Sequence, residues 1–335
     1  MRTFHLLVSC ALAVGCFFGP VTAQSTTTPS ACNGAAALCN RKYNEVAYAT
    51  THNAYALSPD TAGNQNNPIA KQLTDGIRGL MLDLHKSNQS SAIHLCHTSC
   101  QVLDAGPLTT ALSDIKSFLD KNRNEVVTIF FENADNFSAK EITAAFTQTG
   151  LQSYAATFTN QTLPTLAKMI QDNKRLVVFT DSNADPKASP IIMDEYSYVW
   201  ETPFSVGLNG SFTCSIDRPK DQQKAMYVLN HFIYVELNLQ GSNIQIPAAN
   251  YATTTNAQSL ANHASQCNQE RNQMPNFIAV DFYDVGNVFQ VVANLNQVPY
   301  TAPSKGTTGD KSTAAGFGPH YFGLSAFVLA SVLLY

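Results

Sequence analysis

The chain has 335 residues, a formal net charge of −4, and 13% charged against 44% hydrophobic residues. That charged share is about half the roughly 25% usual in soluble domains, so Asn, Gln, Ser and Thr must make up much of the surface. The slight acidity and the lack of a basic run exclude an electrostatic nucleic-acid binder and a protein held on anionic lipid by charge.

Residues 1–23, MRTFHLLVSCALAVGCFFGPVTA, carry Arg2, an apolar run to about Phe18 and the small-residue site Val21-Thr22-Ala23. This is the pattern of a secretory signal, with Gln24 the first mature residue. Secretion means oxidation, so the six cysteines that remain, Cys32, Cys39, Cys96, Cys100, Cys214 and Cys267, are expected in disulfides. Several pairings are open. Cys32–Cys39 and Cys96–Cys100 close the shortest loops and leave Cys214 for Cys267; the spacings do not suit zinc. Sequons at Asn88, Asn136, Asn160 and Asn209 fit a glycosylated extracellular surface.

Apolar runs follow at 45–52, 77–85, 92–97, 125–133, 175–181, 196–201, 225–232 and 276–284. Several are nearly continuous in Val, Ile, Leu and aromatics, as strands covered on both faces must be. Helical patterns lie between many of them. From Pro107, Leu108, Leu112, Ile115 and Leu119 share one face; farther on, Ser138 and Glu141 form a capping box, with Gly150 as the stop. Eight runs with intervening helices predict a single-domain, TIM-type (β/α)8 barrel over 24–298. The link from Lys86 to Ser91 is too short for a helix, so the barrel should be irregular there. Residues 299–320 read as a Pro, Gly, Ser and Thr-rich stalk. The apolar tail 321–335 is shorter than a spanning helix needs. Small residues near Gly309 to Ala315, a spacer and this tail form the signal for a glycosylphosphatidylinositol (GPI) anchor.

Chemistry in such a barrel sits where the strands end. The polar residues there are His52 and Asn53, Asp83 and His85, His97, Glu132 and Asn133, Asp181, Glu201, His231, and Asp281 with Asp284. Histidines, several carboxylates and an amide at one rim are the inventory for phosphoryl transfer: a base, an acid, and oxygen ligands for a hard cation. His94 rivals His97, but period-two alternation puts it on the other strand face, and the run ends at His97. Trp200, Tyr196, Tyr198 and Phe204 are candidates to stack on a ring of the substrate, with packing in the core as the equal alternative.

THNAYA (51–56), GIRGLMLDLH (76–85), LCHTSC (95–100), VVTIFFEN (126–133) and NFIAVDFYDVG (276–286) resemble, in order and placement, the catalytic X region of phosphatidylinositol-specific phospholipase C, and especially its secreted fungal relatives. The resemblance spans about Glu45 to Asn296. It implies that His52 is the base taking the proton from an attacking hydroxyl, that His97 is the acid protonating the leaving oxygen, and that Asp281 orients His52. It also implies that Asn53, Asp83 and Glu132 bind a divalent cation. Oxygen ligands favour calcium, more than magnesium, over zinc. Arg78 is a candidate phosphate ligand, although its place at the start of a strand also suits a structural ion pair.

Two residues depart from the family pattern. Met81 stands where the calcium-dependent eukaryotic enzymes have a further acid, and Thr98 where a glycine follows the second histidine. The expectation is therefore a secreted, anchored, monomeric phosphodiesterase acting on phospholipid head groups. The alternatives are a phosphodiesterase for glycerophosphodiesters or sphingolipids, and a surface protein that keeps the barrel without turnover.

Overall fold

The computed structural model describes residues 29–159, 162–239 and 242–300; the leader, stalk and tail expected from the sequence, and the sequon at Asn160, lie outside them. The strands are β1 (Tyr48–Thr51), β2 (Gly79–Lys86), β3 (Ile93–His97), β4 (Leu103–Pro107), β5 (Val127–Glu132), β6 (Leu176–Thr180), β7 (Met193–Asp194), β8 (Val199–Glu201), β9 (Met226–Asn230), β10 (Tyr234–Leu239), β11 (Ser242–Pro247) and β12 (Phe277–Val280); the eight apolar runs supply all but β4, β7, β10 and β11. Eight of them lie parallel in the order β7-β6-β5-β2-β1-β12-β9-β8, curling into the expected barrel-like sheet. Among the described residues no ladder joins β7 to β8, so a seam stays open there, spanned by the single helical turn Glu195–Tyr198.

The run at 92–97 is not a barrel strand as expected. It forms β3, antiparallel to β2, with Leu84 opposite Leu95 and His85 opposite His94, and β4 returns along it. The short Lys86–Ser91 link explains this, because a parallel neighbour needs a crossover of a dozen or more residues and an antiparallel one does not. The barrel's missing member is β7, only two residues long.

Strand residues alternate between two cores. Ile278 and Val280 pack under the surrounding helices, while Phe277 and Ala279 fill the inside of the curl. Helix Leu108–Lys121 buries Leu108, Leu112, Ile115 and Leu119, the face predicted for it. Helix Ala139–Thr149 carries the Ser138–Glu141 capping box and ends on Gly150 at φ 72°. Tyr43, bonded to Thr128 at 2.5 Å, and the Cys32–Cys39 bridge belong to the inner core at the strands' N-terminal side. The other disulfides are Cys96–Cys100 and Cys214–Cys267. Asn88, Asn136 and Asn209 are exposed.

Gly79 lies in register with Thr50 where β2 meets β1. A Cβ on Gly79 would fall 2.3 Å from Thr50 Oγ1 and 2.8 Å from its Cγ2, and Thr50 is fully buried. Gly79→Ala is expected to lower the urea midpoint by the equivalent of about 1–3 kcal/mol. Thr50→Ala in the same chain should recover part of that loss, and additive losses would show that the two sites do not touch.

Candidate active site

His52 follows β1 and Asp281 follows β12, and because Thr51 is in register with Val280 the two side chains emerge side by side. His52 Nδ1 lies 2.9 Å from Asp281 Oδ1. A carboxylate only accepts, so Nδ1 carries the hydrogen and Nε2 is left to act. The loop after β1 fixes this pair: Asn64 Nδ2 donates to Asp281 Oδ1 (3.0 Å), and Gln65 Nε2 donates to the His52 (2.7 Å) and Val280 (3.1 Å) carbonyls. Phe232 lies flat under the imidazole, with centroids 3.8 Å apart and planes 2° apart. Burial pulls the His52 pKa down, but the charges of Asp281, Asp83 and Glu132 outweigh it and hold the group above the ordinary histidine value.

His97 closes β3. Its Nδ1 donates to the Ala62 carbonyl at 2.8 Å, again leaving Nε2. Burial and the neighbouring His52 charge lower its pKa, against the pull of that carbonyl. The antiparallel excursion of β3 brings this histidine over the barrel mouth. His94 is occupied elsewhere, by Asp104 (2.8 Å) and Ser90 (2.8 Å).

Asp83 and Glu132 are register partners on β2 and β5. Burial, with Glu132 beside it, pushes Asp83 up to about 8. Tyr55 donates to it at 2.8 Å. The Asn53 amide also lies against both Asp83 oxygens, at 3.2 and 3.1 Å when its nitrogen is turned toward them. In the other orientation its nitrogen donates to Asn64 Oδ1 (3.3 Å) and its oxygen faces Asp83. That arrangement of oxygens calls for a proton or a cation between them. The expected ligand set is thus gathered at one place, and its chemistry fits a hard cation.

His52, His97, Asn53, Asp83, Glu132 and Asp281 share one cavity of about 180 Å³, bordered by Tyr234 and Pro247 of the β10–β11 hairpin. A second cavity, of about 30 Å³, adjoins it and reaches Asp181, Glu195, Glu201 and Arg218. There Arg218 Nη2 bonds Glu201 Oε2 (3.0 Å), and its guanidinium lies over Phe204 (4.2 Å). Burial, with Glu201 next to it, holds the Glu195 carboxyl well above the usual carboxylate range.

The family model described as PI-PLC X 1 matches residues 38–296. The chain belongs to the PI-PLC X family. An uncharacterized secreted protein of Arthroderma benhamiae is 35% identical over 311 residues, covering 87% of this chain and 70% of its own. A PI-PLC X domain-containing protein of the same organism is 35% identical over 289 residues, covering 82% and 92%. Among solved structures, the phosphatidylinositol-specific phospholipase C of Listeria monocytogenes superposes with a TM-score of 0.52 at 14% identity, over 78% of this chain and 96% of its own, so the two share a fold.

Two expected substrate contacts of this PI-PLC X chain lie elsewhere. Arg78 pairs with Glu125 (2.8 Å), caps the Leu73 and Ile77 carbonyls and lies on Phe118, so it is a structural ion pair at the far end of β2. Trp200 is fully buried, stacked on Tyr227 at 4.2 Å with its Nε1 bonded to Gln273. It points out of the barrel because its neighbours Val199 and Glu201 point in. Tyr198 bonds the Phe158 carbonyl (2.8 Å), and His231 is buried against His263 and Phe212. Phe232, Asn64, Gln65, Tyr55, Glu195 and Arg218 were not singled out from sequence. Phe232 alone carried a signal, as the last residue of its run.

The Met81 departure lines the inner cavity. At the other departure, Thr98 adopts φ 62°, a left-handed conformation that costs a β-branched residue about 1–3 kcal/mol. The turn that presents His97 thus has a backbone made for glycine. Thr98→Gly is expected to leave the melting temperature unchanged or raise it by a few degrees; a fall of that size would show that the threonine side chain has a positive role.

Proposed function

We propose that this chain is a secreted, N-glycosylated, GPI-anchored and monomeric phosphodiesterase that cleaves phospholipid head groups by paired histidine acid–base chemistry. The observation that carries the proposal is the shared cavity into which two separately anchored imidazoles project, each held through Nδ1. Secretion is supported by the leader pattern and by the relative named as a secreted protein.

A hydroxyl or water bound beside His52 gives its proton to Nε2 as it attacks phosphorus, and Asp281 stabilises the imidazolium that forms. His97 protonates the departing oxygen from the other side. Phe232 and Asp281 hold the base to one orientation, so little reorganisation accompanies proton transfer. Asn53, Asp83 and Glu132 are the residues that would hold a divalent cation, which supplies charge neutralisation for the phosphoryl oxygens and acidifies the attacking group.

The two histidines also define a pH dependence. The base must be neutral and the acid protonated, so activity rises as His52 loses its proton and falls as His97 loses its own. Positive charge beside Asp83 and Glu132 removes support from the His52 imidazolium and lowers its pKa. Because His52 is held above and His97 below the ordinary histidine value, the acid limb breaks at the His97 pKa and the basic limb at the His52 pKa. Added calcium is therefore expected to move the basic limb of the rate profile to lower pH and to raise the plateau. A basic limb that stays put with and without calcium would remove the cation from the reading.

The direct test is release of phosphorylated head group from a panel of radiolabelled phospholipid vesicles, with calcium and with a chelator. Met81, an apolar residue where the calcium-dependent pattern has an acid, favours a second reading, a head-group binder without turnover. Inertness of the wild type on the whole panel, with binding retained, would select it.

A further inference from the structure

We infer that the inner cavity is a subsite for a positively charged organic ammonium group on the substrate's head group, with Glu195 and Asp181 as its specificity residues. This rests on the phosphodiesterase reading and adds a substrate class to it. The cavity adjoins the one holding both histidines and shares His52, Asp83, Glu132, Phe204 and Phe232 with it, so a head group reaching inward from phosphorus enters it. Five acidic side chains line it, Asp83, Glu132, Asp181, Glu195 and Glu201, and an arriving ammonium takes the place of the proton that burial and Glu201 keep on Glu195.

The only lysine or arginine among the described lining residues of either cavity is Arg218, and its charge is matched by Glu201 at 3.0 Å. No cation is left for a head group bearing its own phosphates. Glu195 is 97% buried (3% exposed), yet its Oε1 has no hydrogen-bond partner. A buried acceptor left open in this way costs about 1–3 kcal/mol unless a donor arrives. Most of the remaining wall is aromatic, from Phe130, Phe131, Tyr196, Phe204 and Phe232, and His52 and Met81 complete it. Ring faces together with carboxylates suit an ammonium ion better than a neutral polyol. The inner cavity taken alone is small, about 30 Å³, room for one or two water-sized groups.

The test compares two soluble diesters, glycerophosphoethanolamine and glycerophosphoinositol, by calorimetric titration onto the uncleaving His52→Ala protein at neutral pH. The ethanolamine diester is expected to bind at least about tenfold more tightly. In the same background, Glu195→Gln and Asp181→Asn should each weaken it about tenfold, leaving the inositol diester and dimethyl phosphate, which has no head group, unchanged. Circular dichroism melting confirms that each variant folds, and the two-diester comparison stands even if one does not. Equal or tighter binding of the inositol diester, or an equal loss for all three ligands in a folded variant, overturns the inference. Preferential ethanolamine binding by a wild type that cleaves no diester would refute the catalytic reading and leave this one standing.

Discussion

His52→Ala is expected to lower turnover of a cleaved phosphodiester by about 10²–10⁴-fold with little change in KM, and His97→Ala to do the same. Both imidazoles are tethered through Nδ1, to Asp281 (2.9 Å) and to the Ala62 carbonyl (2.8 Å). What each substitution removes is therefore a positioned Nε2, a group that matters at the transition state more than in binding. The two losses should differ by leaving group. An activated ester whose leaving oxygen needs no proton should rescue His97→Ala and not His52→Ala, because only the first lacks an acid. Asp281→Asn should also lower turnover, since an amide in place of the carboxylate no longer stabilises the imidazolium or enforces the Nδ1–H tautomer. Steady-state rates on a phospholipid and on an aryl diester check all three. If the aryl ester rescues neither or both of the histidine variants, the roles given to these residues are wrong.

Asp83→Asn is expected to abolish activity and to stabilise the fold above neutral pH. Burial, with Glu132 beside it, raises Asp83 to about 8 from an ordinary value of 3.8. Between those limits the folded chain holds a proton that the unfolded chain has lost, so stability falls as pH rises through this window and the full penalty stands above about pH 8. Asparagine carries no such penalty and can still accept from Tyr55. At pH 8.5 the variant should gain on the order of 2 kcal/mol, a melting-temperature rise of about 4–8 °C, and near pH 4 the gain should vanish. Calcium should raise the melting temperature of the wild type at pH 8.5 and not that of the variant. A gain of equal size at both pH values would mean that packing, and not ionisation, is responsible.

Much of this site was legible because strands covered on both faces announce themselves as apolar runs, and a polar residue at the end of such a run has few other reasons to be there. That logic located His52, Asp83, Glu132 and Asp281 without knowing which strands were neighbours. It misread 92–97, since composition does not say whether a strand's partner runs parallel; only the short Lys86–Ser91 link held that information. It also missed β7, whose two residues pair with Phe179 and Thr180 through tertiary context alone. Trp200 was misjudged because a three-residue strand gives too little alternation to tell its faces apart. Arg218 sits in a loop with no periodicity and reaches the cavity only because its backbone bridges Glu201.

The seam between β7 and β8 bears on how such a scaffold changes its diet. Glu195, which opens the helical turn after β7, and Glu201, the last residue of β8, stand at its two lips, and among the described residues no ladder ties β7 to β8. A closed ladder fixes the width of a barrel by strand number and tilt, whereas here one wall of the inner chamber is spanned by the helical turn Glu195–Tyr198 without a ladder. Exchanges at these lips can therefore resize the chamber for a different guest while His52 and Asp281, mounted on the laddered pair β1 and β12, keep their alignment.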